Sequence, residues 1–344
     1  MNSESTIGRG ANICIMALLT SIIVFASGFM PLFGTVLLAL SAVPGFLVLL
    51  ANGIPWFCGY GLLTIFSMSR IGGWSAALML IPMLLIPAGF FAFLIRSGID
   101  TFKSFFISLT ISCFFSLSFW MISPVMGDAG VEMWKQAEYL NVWAQSFEKA
   151  VIEKVESIEN VKVRESYIDA MPIFLNEARE WFEFLGCLIP FSFFFGWHFF
   201  SLLLISLVGW KLSRKYAVSF EPLPDFSTWK FDWKLIWLFV AGWVMYYSAD
   251  SLFNPSLSHL AKVVGANFLA ISKFLYMVMG FSLLFWLFET YKLGVPNRIG
   301  LSLLAVLFNQ LLVWFGIIDI WADFRAAAAK KPGISETDDD DSFF

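Results

Sequence analysis

Few side chains in this sequence can do chemistry, and the polar ones sit where lipid would exclude them. His198 lies in the middle of an apolar run, within Phe194-Phe195-Gly196-Trp197-His198. Asp250 closes another run, after Tyr246, Tyr247 and Ser248, and Asn309 and Gln310 stand side by side midway along a third. An ionisable group at the centre of a membrane span costs about 2.5–3.5 kcal/mol on insertion scales, and normally faces a bundle interior or a wet cavity. Two readings of each residue stay open. His198 is either a neutral, hydrogen-bonded core histidine or a ligand group. Asp250 is either a carboxylate at the water interface or part of a polar pocket. Asn309 and Gln310 either join helices by hydrogen bonds of about 1 kcal/mol or line that pocket. On the pocket reading, Trp197, His198, Tyr246, Tyr247, Asp250, Asn309 and Gln310 converge on one small ligand.

Catalysis has no such foothold. The sequence contains no P-loop pattern, no dinucleotide fingerprint, no HExxH and no GxSxG. With two histidines, and with Cys14, Cys58, Cys113 and Cys187 all inside apolar stretches, no metal-ligand spacing or nucleophile–base pair forms. No catalytic residue, metal or other cofactor is therefore expected, and work driven by ATP would need a separate ATPase. The net charge of −4, with 14% of residues charged, offers no basic face for nucleic acid.

The elements that must position these groups are written in apolar residues. Hydrophobic residues make up 59% of the 344, and mean hydropathy is +0.76. A helix rises about 1.5 Å per residue and the hydrocarbon layer is about 30 Å thick, so roughly 20 apolar residues cross it. Stretches 11–29, 32–51, 54–68, 74–95, 102–123, 184–210, 235–252, 268–288 and 299–320 read as spans. The expectation is an all-α, polytopic transmembrane bundle of about eight or nine spans. The first run is longer than a usual signal-peptide core and is expected to remain as an anchor.

The organisation follows as an N-terminal membrane bundle (1–123), a hydrophilic helical hairpin (124–183), a C-terminal membrane bundle (184–325) and a disordered acidic tail (326–344). In the hairpin, Met133, Ala137, Leu140, Ala144, Phe147, Val151, Val155 and Ile158 recur at spacings of three and four, an amphipathic stripe. Asn160 marks a turn, and a second helix carries Tyr167, Phe174 and Trp181 towards the next span. Lys211, Arg214, Lys215, Lys230 and Lys234 mark one loop as cytoplasmic, and Arg96 and Lys103 mark another. Counting back places the N-terminus in the cytoplasm and the hairpin outside it. The last span conflicts, since Lys292 and Arg298 precede it while Arg325, Lys330 and Lys331 follow it. The expected source of the conflict is 254–275, as an interfacial helix, a re-entrant hairpin or an additional short span.

Small residues at Ala17-x3-Ser21, and at Ser41, Ala42 and Gly45, allow close helix approach. They serve either internal packing or a groove in which a partner membrane subunit docks.

Several segments carry a likeness beyond composition: Pro222-Leu223-Pro224-Asp225-Phe226-x2-Trp229, Gly294-Val295-Pro296-x-Arg298, Gly316-Ile317-Ile318-Asp319-x3-Asp323-Phe324-Arg325, and Pro31-x-Phe33-Gly34…Pro44. With them the chain resembles the YybS-like family of bacterial membrane proteins, whose function is not established. That family is in turn similar, in its N-terminal half, to the S components of energy-coupling-factor vitamin transporters. The resemblance implies a bacterial cytoplasmic-membrane bundle that holds a small solute and docks, through Ala17 and Ser21, onto a coupling subunit with ATPases. Read physically, Asp319, Asp323 and Arg325 either anchor the last span at the interface or join it by ion pairs to the Phe226–Trp229 segment, with Arg298 nearby. The first expectation is binding and transport of a small solute or lipid-like ligand. The alternative is a membrane scaffold that recruits envelope proteins, or a second copy of itself, through the hairpin and the acidic tail. Membrane lipids are partners on either reading.

Overall fold

The computed structural model describes residues 6–30, 33–122, 136–188, 191–214 and 220–329. Met133, Lys215, Lys330, Lys331 and the acidic run of the tail lie outside them. Every regular element among the described residues is helical. Six helices are long and apolar enough to cross a bilayer: Gly8–Ser27, Gly34–Asn52, Ala76–Arg96, Thr101–Ile122, Phe191–Ser213 and Leu257–Thr290. A bent pair, Val295–Leu307 and Asn309–Ala322, makes a seventh candidate. Two of the nine stretches marked in the sequence fall short. One precedes Gly73, whose φ of 80° breaks the helix Ile54–Leu80. The other, Leu235–Tyr247, has 13 residues, about 20 Å of helix against an apolar layer of about 30 Å.

The chain packs as two units, dividing after Leu223. The first comprises α1 (Thr6–Ser27), α2 (Gly34–Leu40), α3 (Val43–Asn52), α4 (Ile54–Leu80), a π-helical turn (Ile81–Leu85), α5 (Ile86–Arg96), α6 (Thr101–Ile122), α7 (Gln136–Glu156), α8 (Val161–Leu188) and α9 (Phe191–Ser213). Helix α9 packs on α2, α3, α5 and α6, so the N-terminal bundle includes this span from beyond the hairpin. At its centre α3 buries Phe46, Leu47, Val48, Leu49 and Leu50. Two glycines seat aromatic rings here: a Cβ on Gly45 would lie 2.8 Å from the Tyr60 ring, and one on Gly209 would lie 2.9 Å from Phe46. Outward residues such as Leu18, Ile22, Leu62 and Phe114 are apolar and exposed, the surface a bilayer covers.

The hairpin α7–α8 closes through Phe147, whose ring lies 6.1 Å from Phe174 and 5.9 Å from Phe182, and through the Arg179–Glu148 ion pair. Asn160 accepts from the Val163 amide as α8 begins, the turn its sequence indicates.

The second unit holds a 3-10 turn (Phe226–Thr228), α10 (Leu235–Tyr247), α11 (Ala249–Leu252), α12 (Pro255–Thr290), α13 (Val295–Leu307), α14 (Asn309–Ala322) and α15 (Phe324–Ala329). Stretch 254–275 is no break, and here the sequence reading is corrected. It opens a continuous helix, with Asn254 capping the Leu257 amide and Pro255 in the first turn, where its missing N–H costs nothing. Gly265 serves close approach instead: it abuts Gly242 of α10, where a Cβ would meet the Leu269 amide at 2.8 Å.

The irregularity lies further on. Helices α13 and α14 meet at 98° about Phe308. Helix α14 crosses α12 where Gly316 and Gly280 face each other, each so close that a Cβ would overlap the opposite backbone. Arg298, in the first turn of α13, bonds the carbonyl of Phe288 at the end of α12 and that of Leu293 just after it. Arg325, just past α14, bonds Ser282 of α12 at 3.1 Å. The pair thus leaves and returns to the same end of the unit, with Asn309 and Gln310 at its tip.

Candidate functional site

In the first unit, the site is built where α4 gives way to α5. Pro82 lies within the π-helical turn and Pro87 just after it, and neither offers an amide hydrogen to the preceding turn. Carbonyls there must find other donors. Trp197 of α9 donates its indole N–H to the Met83 carbonyl at 3.2 Å, four residues before Pro87. Ser116 of α6 reaches the Pro82 carbonyl at 3.4 Å, a long bond, and shares a 2.7 Å hydrogen bond with Nε2 of His198. His198 and Ser116 are buried, and the other ring nitrogen of His198 has no partner. Ser108, Ser112 and Ser201 are likewise buried with unpartnered hydroxyls. Among the described residues no charged side chain takes part. The arrangement can accept or donate hydrogen bonds to a neutral, polar guest, and has nothing to neutralise an anion.

The second unit carries an ion-pair cluster. Arg325 donates to the carbonyls of Ser227 at 2.7 Å and Trp229 at 3.2 Å, and to the Ser282 hydroxyl. Its guanidinium lies 3.5 Å from Asp319, whose side chain is 0% exposed; Asp319 also accepts from the Phe324 amide. Lys230 pairs with Asp323, a hydrogen bond that, with the Ala326 amide, holds this carboxyl below its ordinary range. Phe226 stacks edge-on against Trp229 and Phe285. The turn Phe226–Trp229, α12 and the end of α14 are therefore tied together.

The pocket candidates divide between the units. Trp197 and His198 belong to the first. Tyr246 and Tyr247 touch ring to ring at 5.0 Å in the second, where Tyr247 is exposed. Asp250 bonds Ser258 and pairs with Lys262 at 2.9 Å; the Ser258 hydroxyl first, and then Lys262, lower its pKa. Asn309 and Gln310 sit exposed at the bend. Arg298 caps α12 and takes no part in the Arg325 cluster. Ala17 and Ser21 are 1% and 3% exposed. Ala17 joins Ile13, Val48 and Tyr60 in a core cluster, so this face is already occupied by the unit's own helices, a correction to the docking reading. Ser108, Ser112, Ser116 and Ser201 escaped the sequence reading. A signal for the first three was present, since Ser104, Ser108, Ser112 and Ser116 recur every four residues on one face of α6.

Among the described residues no group of three or more His, Cys, Asp or Glu is placed to hold a metal, and Cys14, Cys58 and Cys113 form no disulfide. Fold and composition together define a polytopic α-helical membrane protein. More narrowly, the chain belongs to a family of predicted membrane proteins, DUF2232, whose model matches residues 18–320 and so extends over both units. No curated protein and no solved structure matches it.

Proposed function

We propose that the protein binds a small solute or lipid-like molecule within the membrane and acts in its transport, without an ATPase of its own. The observation that carries this reading is the proline-broken segment between α4 and α5. Its carbonyls are met by Trp197 and Ser116, with His198 alongside. Irregular backbone inside an apolar layer is tolerated where it is buried in protein or lines a cavity, and discontinuous helices form the binding sites of many transporters. The likeness to the YybS-like family, and through it to S components, favours the same reading, with a coupling subunit and ATPases as partners. On this view the protein lies in a bacterial cytoplasmic membrane with its N-terminus inside, as Arg96 and Lys211 ask.

The test is to extract the protein gently into lipid nanodiscs and identify co-purifying small molecules by mass spectrometry, for wild type and His198→Phe. One stoichiometric small molecule, lost in a variant that melts normally, is expected. Its absence from wild type, or its retention in the variant, would remove this site.

A scaffold reading has an observation of its own. The hairpin presents Trp143 and Trp181 to solvent, beside a groove of about 320 Å³ lined by Phe147, Phe174, Trp181, Phe182 and Leu185. Stoichiometric envelope proteins in the same preparation, with no ligand and no ATPase, would favour it.

A further inference from the structure

Many hydroxyls in the described helices are satisfied by their own backbone. Ser206 bonds the Leu202 carbonyl, Thr64 that of Tyr60, and Ser272 that of Phe268. Ser108 and Ser112 of α6 and Ser201 of α9 do otherwise: each is 0% exposed, and none bonds a carbonyl one turn back or anything else. His198, also 0% exposed, leaves Nδ1 unpartnered while Nε2 holds Ser116. These groups belong to two helices packed on each other.

A buried hydroxyl without a partner destabilises the fold, and native interiors meet such groups with ordered water. The spacing suits water. Four residues of helix rise about 6 Å, close to what one water spans with two hydrogen bonds of about 2.8 Å. We propose that α6 and α9 enclose a file of bound water molecules running from His198 past Ser112 to Ser108, a hydrated seam within the apolar layer. It goes beyond the ligand reading and stands even if that reading fails, since water needs only the hydroxyls and the imidazole.

The experiment is radiolytic footprinting of the full-length protein in nanodiscs, with ¹⁸O-labelled water, read by mass spectrometry, alongside thermal melting of Ser112→Ala. Phe114, 66% exposed on the outer face of α6, is the lipid-facing control. Labelling of His198 and Phe105, both wholly buried, is expected several-fold above Phe114. Ser112→Ala is expected to lower Tm by about 2–4 °C, because a water loses a partner. In a dry seam the same substitution would relieve an unmet hydroxyl. Labelling no higher than at Phe114, or a Tm unchanged or raised, would overturn the proposal.

Discussion

Trp197 donates its indole N–H to the main-chain carbonyl of Met83, four residues before a proline that has no amide hydrogen to offer it. A side chain on α9 thereby supplies what the backbone of α5 withholds. This pairing fixes the broken segment against the helix that carries His198.

The pairing predicts a thermodynamic coupling. Trp197→Phe leaves a carbonyl unmet inside the apolar layer and should cost about 1–3 kcal/mol. In a Pro87→Ala background, where an amide returns, the same change should cost clearly less. A double-mutant cycle read by unfolding in detergent checks this; equal costs in the two backgrounds would show that the indole only packs.

The cluster around Arg325 predicts a demanding position. One Nη reaches two carbonyls of the Phe226–Trp229 turn and the other reaches Ser282, beside a buried Asp319. Arg325→Ala leaves that carboxylate without its counter-charge and should cost about 3–5 kcal/mol. Arg325→Lys should fail to restore wild-type yield, because an ammonium cannot span the separated acceptors. Fluorescence-detected size exclusion of the three proteins reads the result, and full yield from Arg325→Ala would refute the clamp.

Asp323 predicts a pH dependence. Its carboxyl is held below the ordinary range, chiefly by the hydrogen bond from Lys230. A group with a depressed folded pKa contributes stability that is present above its unfolded value, near pH 3.9, and lost as pH falls through the folded value. Wild type should therefore melt above Asp323→Asn at neutral pH, and the gap should close on acidification below about pH 4. A gap that persists or widens at low pH would contradict the assignment. The effect should be small, since the pair is substantially exposed.

The bend at Phe308 predicts a topology. Because α13 and α14 leave and return to one end of their unit, Lys292 and Ala327 should lie on the same side of the membrane. Single cysteines at these positions, in a background lacking the four native ones, should be labelled by an impermeant maleimide from the same face of oriented vesicles. Labelling from opposite faces would make the pair a kinked span. The same geometry removes the charge conflict of the last span: Arg298 and Arg325 can both face the cytoplasm if the helix pair between them does not cross.

Legibility was uneven. The spans around α1, α5, α6 and α9 could be read from the sequence because about 20 consecutive apolar residues have no other use in a chain of this composition. The segments Pro224–Trp229 and Asp319–Arg325 were recognisable as related, their pattern of carboxylates, arginine and aromatics being unusual beside lipid. The 98° bend was not legible, since residues 301–312 contain neither proline nor glycine to announce it. Nor was the continuity of α12, where Pro255 and Gly265 suggest breaks but serve as a first-turn residue and a contact point.

By itself the sequence determined that the chain lives in lipid, that its helices alternate with basic loops, and that it holds no nucleotide or metal motif. Those properties depend on composition and local spacing, which each segment carries alone. Tertiary structure decided that Trp197 meets Met83, that His198 meets Ser116, that Ala17 and Ser21 are already covered, and that Arg325 closes on Ser227 and Ser282. Such pairings depend on which faces of all-apolar helices turn inward. A helix hydrophobic on every side does not encode its inward face in its period, so the choice falls to close contacts at glycines and to hydroxyls and carbonyls in need of partners.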